Sequence, residues 1–346
     1  MTTYTFNGWM TNVFGAGTVL ETLGNENLGW QETLNGNIGA DITLLGNRLS
    51  LVLDKYWKNT NPLLAAITTP GSLGIKSLYM NAGELNTDGF EFTVKVSPIY
   101  RPKERINWTI SINGNHEKAY YANIGDSFSS LNEEGKSSLT GTTRYYDGGS
   151  PTAIWAVPSA GIDPATGKEL FIRKDGTYSF DYSTDDEVVM GDTNPALEGV
   201  VGSVFYWKGF SLSAYVRYSV GAQIFNSTLF RKVENISSSD ILDNQDRRAL
   251  YDRWSENNTE AFYKGISLVQ TTNKSSRFVM DENYLRGESF SIGYECIAPW
   301  VQRLGLNSVT FQANMSDMFR LSTVTIERGT DYPFAREVSF SISAVF

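Results

Sequence analysis

The feature that most limits what this chain can fold into is a two-residue alternation sustained far longer than a soluble strand requires. In residues 33–44, Leu34, Ile38, Ala40, Ile42 and Leu44 fall on one face; Thr33, Asn35, Asn37, Asp41 and Thr43 fall on the other. A period of two is a strand. At about eleven residues it is roughly twice the usual length, and matches what a tilted strand needs to cross a bilayer. Gly46-Asn47 signals a tight turn, and residues 48–58 return with Leu49, Leu51, Leu53 and Trp57 on the apolar face. Lys55 shares that face beside Trp57, where an ammonium can snorkel to a membrane interface.

The same pattern recurs along the chain. Residues 90–97 and 106–113 form a second hairpin around a turn at 98–105, and residues 200–207 and 212–220 a third around Lys208-Gly209. The strand at 200–207 is apolar on both faces, so its outward side stays unassigned. Residues 285–295 and 308–315 make a fourth hairpin. The closing stretch 336–346 sets Val338, Phe340, Ile342, Ala344 and Phe346 against Glu337, Ser339, Ser341 and Ser343. Residues 1–32 and 59–83 read as irregular. Short β-prone pieces are expected within the longest connection, at 152–157 and 170–180, and a short helix at 240–254 with Leu250, Tyr251 and Trp254 on one side.

Connections alternate in length: short at 45–47, 98–105, 208–209 and 296–306, long at 59–83, 117–198, 222–284 and 317–335. One rim would carry turns and the other loops, the asymmetry of outer-membrane barrels. Trp30, Trp57, Trp108, Trp207, Tyr294 and Trp300 lie near strand ends, as aromatic girdles do. No apolar run reaches the eighteen residues of a membrane helix. The fold expected is all-β: an antiparallel transmembrane β-barrel segment of about nine long strands, with short periplasmic turns and long extracellular loops. Nine strands about 4.8 Å apart give a sheet some 40 Å wide with two open edges, which lipid cannot satisfy. The sheet is therefore expected to be the C-terminal part of a larger barrel, whose N-terminal part carries the export signal.

Composition removes several function classes. The net charge is −9 and no Lys/Arg run exceeds two residues, so no nucleic acid is expected as a partner. Cys296 is the sole cysteine and His116 the sole histidine, which leaves no disulfide, thiolate zinc site or catalytic histidine cluster. Asp181, Asp185, Asp186, Glu187 and Asp192 lack the spacing of a calcium loop and read as a solvated acidic segment. No catalytic, metal or cofactor residues are assigned.

Several stretches carry a family likeness. They are Asn27-Leu28-Gly29-Trp30-Gln31-Glu32, the run from Asn81 to Glu91, the run from Ala160 to Gly167, Gly191-Asp192-Thr193-Asn194-Pro195, Leu250-Tyr251-Asp252-Arg253-Trp254, Ser275-Ser276-Arg277-Phe278-Val279, Tyr284-Leu285-Arg286 and the closing strand. Together the chain resembles the C-terminal portion of the SusC/RagA-type TonB-dependent outer-membrane transporters. Asp317 and Gly287 depart from the usual pattern. The resemblance implies a 22-stranded, plugged barrel of which residues 1–346 are a part, with plug domain, TonB box and signal peptide outside this chain. It also implies import of glycan or peptide fragments, with TonB acting through the N-terminal part, a SusD-like lipoprotein as partner and outer-membrane lipid around the wall.

Long loops rich in Tyr, Trp, Asn and Asp offer aromatic faces and hydrogen bonds to an oligosaccharide, a peptide or the lipoprotein. Tyr145, Tyr146 and Trp155 are the candidates in the longest loop. From the sequence alone, a stand-alone β-rich surface or adhesion protein, and a truncated remnant without function, stay open beside the importer.

Overall fold

The computed structural model describes every residue except 1, 13–14, 70–71, 73, 76, 139–140, 237–241, 243–244, 268–270 and 326–335. Nine long strands form one antiparallel wall: β1 Glu32–Leu44, β2 Leu49–Asn61, β3 Glu84–Arg101, β4 Ile106–Ala122, β5 Leu197–Trp207, β6 Phe210–Phe225, β7 Val279–Cys296, β8 Ser308–Ser316 and β9 Val338–Val345. Each pairs with its chain neighbour, β9-β8-β7-β6-β5-β4-β3-β2-β1, and a short strand Arg320–Ser322 extends β8's place beside β7.

The register fixes which face meets lipid. Ile38, Lys55, Phe90 and His116 lie in one row across β1 to β4, and Ile42, Leu51, Val94, Ile112, Val201 and Val216 continue a second row as far as β6. Ile38 is 70 % exposed, Ile342 73 % and Phe340 80 %. No soluble fold presents such rows to water, whereas a bilayer covers them. The same pairings settle β5: Val201, Phe205 and Trp207 share the outward face with Trp108, Leu212 and Phe210.

The inward face is polar and bonded. Tyr56 Oη donates to Glu117 Oε2 at 2.8 Å, and Gln312 Nε2 donates to Ser291 Oγ and Asn314 Oδ1, both at 2.9 Å. Glycines let rings lie across neighbouring strands. A Cβ on Gly36 would come within 2.4 Å of the Trp57 ring, and one on Gly89 within 2.2 Å of Tyr56. The β5–β6 turn is the two-residue Lys208-Gly209, both at positive φ.

At the turn rim, Arg105 Nη2 donates to Tyr206 Oη at 2.5 Å and pairs with Glu295 Oε2 at 2.6 Å, tying one turn to the end of β7.

The structure corrects several boundaries. Residues 1–32 contain an antiparallel hairpin, Thr3–Asn12 with Gly15–Thr22, and 59–83 contain another, Leu64–Thr68 with Ser77–Asn81. β3, β4 and β7 run farther toward the loop rim than hydrophobic alternation reaches. There the ladder continues with polar pairs: Asn59 Nδ2 donates to Asn86 Oδ1 at 2.7 Å and Asn123 Nδ2 to Glu84 Oε1 at 2.8 Å.

The helix expected at 240–254 shrinks to Arg248–Tyr251, with residues 240, 241, 243 and 244 outside the described set. Ala249 is buried, while Leu250 and Tyr251 are exposed, so the expected apolar side is not the packed one. Lys55 bonds Asp88 Oδ1 at 3.3 Å. His116 lies within β4, its ring against Phe90 and its Nδ1 2.6 Å from Ala196 O.

Candidate functional site

Connections 123–196 and 226–278 build a packed layer over the loop rim. A helix, α1 (Ser129–Ser137), follows β4, and its Leu131 packs with Ile124, Phe128 and Ala82. Strand Ala153–Ala156 pairs with Val188–Asp192, and Ser159–Ile162 pairs with Glu169–Ile172. The second connection packs Leu229, Phe230, Val233, Ala249, Tyr263 and Phe278 together above β6 and β7.

The two connections are joined through Lys274-Ser275-Ser276-Arg277. Lys274 Nζ donates to the carbonyls of Gly135 (3.0 Å), Ser138 (3.1 Å) and Gly141 (2.7 Å) and lies 3.2 Å from Glu187 Oε1. Arg144 approaches the same carboxylate, its Nη2 2.6 Å from Glu187 Oε2. Lys274, Arg144 and Glu187 are all fully buried. Burial pushes the Lys274 ammonium below the usual lysine range, against the pull of Glu187.

Three residues on, Arg277 bonds Glu169 through Nε (3.0 Å) and Nη2 (2.9 Å), Glu234 through Nη2 (2.9 Å), and the Phe262 carbonyl through Nη1 (2.6 Å). Burial works against its charge, but the two carboxylates outweigh it and hold Arg277 above the ordinary arginine range. Ser275 Oγ donates to Glu169 at 2.5 Å, and Ser276 Oγ accepts from Ser159 N at 2.9 Å. In the second loop Arg253 donates Nε to Ala249 O (2.9 Å) and Nη1 to Lys264 O (3.0 Å), and Trp254 Nε1 donates to Pro164 O at 2.9 Å. Of the stretches that carry the family likeness, those holding Ser275, Ser276 and Arg277, Arg253 and Trp254, and Pro164 take part in fastening the rim. Lys274, Glu187 and Glu169 lie outside those stretches, and no periodicity marks them in the sequence.

Of the three aromatic candidates, two come together. The Tyr146 and Trp155 rings are 5.1 Å apart at the mouth of a cleft of about 570 Å³. Tyr145 turns the other way. Its ring stacks on Phe128 at 5.2 Å, its N–H bonds Asn132 Oδ1 at 2.8 Å, and it belongs to the packing beneath α1.

No family model matches the chain. At 27 % identity over 338 residues it is similar to the TonB-dependent receptor P3 of Formosa agariphila, the match covering 92 % of this chain and 32 % of that protein. At 24 % identity over 292 residues it is similar to the TonB-dependent receptor SusC of Bacteroides thetaiotaomicron, covering 80 % and 27 %. The chain is SusC/RagA-like. It spans about a third of the length of the curated relatives it matches. Its fold is similar to part of the RagAB peptide importer in the closed-closed state, with TM-score 0.80, 24 % identity, and coverage of 99 % of this chain and 38 % of that one. The open-open state of the same importer gives 0.75 at 23 %. This SusC/RagA-like wall is an outer-membrane β-barrel segment, with β1 to β9 crossing the bilayer and the joined loops on the outer side.

Proposed function

We propose that residues 1–346 form wall and extracellular loops of a TonB-driven importer of oligosaccharide or peptide fragments. Plug, TonB box and export signal would lie elsewhere in a longer protein, and a SusD-like lipoprotein would cover the loop rim. The observation that carries this reading is the loop layer itself. Two long connections are fastened by buried charge into a shaped surface that offers Tyr146 and Trp155 over one end of the wall, as a binding rim needs and a passive wall does not. Tyr145 contributes by holding that surface in shape. The reading has no chemical step. The surface-protein and remnant alternatives have no specific observation in their favour.

The experiment is uptake. Cells carrying the intact gene are compared with a deletion strain and with a strain lacking TonB, using fluorescent oligosaccharide and peptide pools. Loss of uptake of at least one pool in both mutant strains is expected. Uptake unchanged by the deletion would overturn the reading.

A further inference from the structure

The cleft at Tyr146 and Trp155 carries a more specific message than an aromatic surface. Trp155 Nε1 is buried and has no acceptor among the described residues, an arrangement that is costly unless a ligand or water completes it. Val189, opposite Trp155 in the short sheet, is exposed and widens the apolar wall. Below lies the Glu187 cluster, in which one carboxylate faces two buried cations, Arg144 and Lys274. Three carbonyls accept from Lys274, Arg144 is matched by Glu187 on the cleft floor, and Glu187 Oε1, 3.2 Å from Lys274 Nζ, makes no hydrogen bond among the described residues. At the rim, Lys136 is engaged by Glu133 at 2.8 Å and Asp185 brings a carboxylate, while Lys174 is exposed with no side-chain partner among the described residues. The backbone beside the rings is already used: Trp155 N–H bonds Thr142 O at 2.8 Å, which leaves an extended peptide no edge to join there.

We propose that this cleft is a subsite for a carboxylate-bearing sugar residue. The pyranose face lies against Trp155 and Tyr146, Trp155 Nε1 donates to a ligand oxygen, and the carboxylate meets the exposed Lys174 ammonium. This deepens the import reading by naming the substrate class, and rests on it for the cleft's place on the substrate route. An acidic peptide is the competing ligand.

The test is calorimetric titration of the purified full-length protein in detergent with tri-galacturonate and with its fully methyl-esterified form, two probes that differ in charge. The acid is expected to bind about tenfold more tightly than the ester. Trp155→Phe keeps a ring and removes the N–H, and should weaken both probes several-fold. Lys174→Gln changes an exposed side chain and should bring the acid close to the ester while leaving the ester unchanged. Equal affinities for the two probes, no binding of either, indifference to both variants, or tighter binding of an acidic hexapeptide with the same variant dependence would each overturn the inference. Binding as expected without uptake by cells would remove the import reading alone. Uptake with binding indifferent to the variants would remove the subsite alone.

Discussion

Glu187 is the residue on which the loop rim is most finely balanced, because it is the counter-charge to both Arg144 and Lys274. Glu187→Gln would leave two buried cations facing a neutral amide. Breaking a buried pair costs about 3–5 kcal/mol, and here the cost falls on the loops rather than the wall. Faster amide exchange in α1 and residues 141–157, with β3 to β7 unchanged, is the expected result. Arg277→Lys keeps the charge but loses the fork that spans Glu169 and Glu234 and reaches the Phe262 carbonyl, so it should loosen the same layer from the other loop.

Asp246 supplies a pH dependence. Its hydrogen bonds from Arg248 hold the carboxyl below its ordinary value of 3.8. A depressed carboxyl contributes stability that is complete above the unfolded value and is lost as pH falls through the folded one. Exchange at residues 246–252 should therefore rise only below about pH 4, beyond the intrinsic pH effect seen at Leu229–Glu234.

At the scale of the elements, the alternation of β9 makes a paired prediction. Phe340→Arg places a guanidinium on the lipid face and should cost up to about 2–4 kcal/mol, whereas Ser341→Arg on the polar inner face should cost clearly less. Denaturant unfolding of the reconstituted barrel separates the two. The wall was legible in the sequence because lipid demands an apolar residue at every second position, so Leu34 to Leu44 and Val338 to Phe346 announce their faces. Legibility stopped where that demand stops. Above the hydrocarbon, β2 and β3 continue on pairs such as Asn59 with Asn86, which look like loop composition, and the hairpins at Thr3–Thr22 and Leu64–Asn81 lack the long alternation. The helix at Arg248–Tyr251 is placed by Ala249 and by Arg253's bonds to carbonyls, long-range partners that no helical period records. In the sequence Tyr145, Tyr146 and Trp155 are simply aromatics of one loop. Only the fold sends Tyr145 into the packing under α1 and the other two to a shared cleft.

For the whole molecule, the wall and the fastened loops divide the work. The wall sets position and orientation in the membrane, and the fastened loops shape the rim above it. The two meet where β7 follows the Lys274–Arg277 clamp and enters the bilayer. The orientation puts loops outside and turns inside, with one outer membrane between them. Its most direct measurement is cysteine accessibility in intact cells, with Cys296 replaced by Ala and a single thiol introduced by Lys174→Cys in a loop or Lys208→Cys in the β5–β6 turn. A membrane-impermeant maleimide should label the Lys174→Cys protein on intact cells and the Lys208→Cys protein only after the outer membrane is opened. Labelling of the turn thiol on intact cells, or of neither thiol until lysis, would contradict the account.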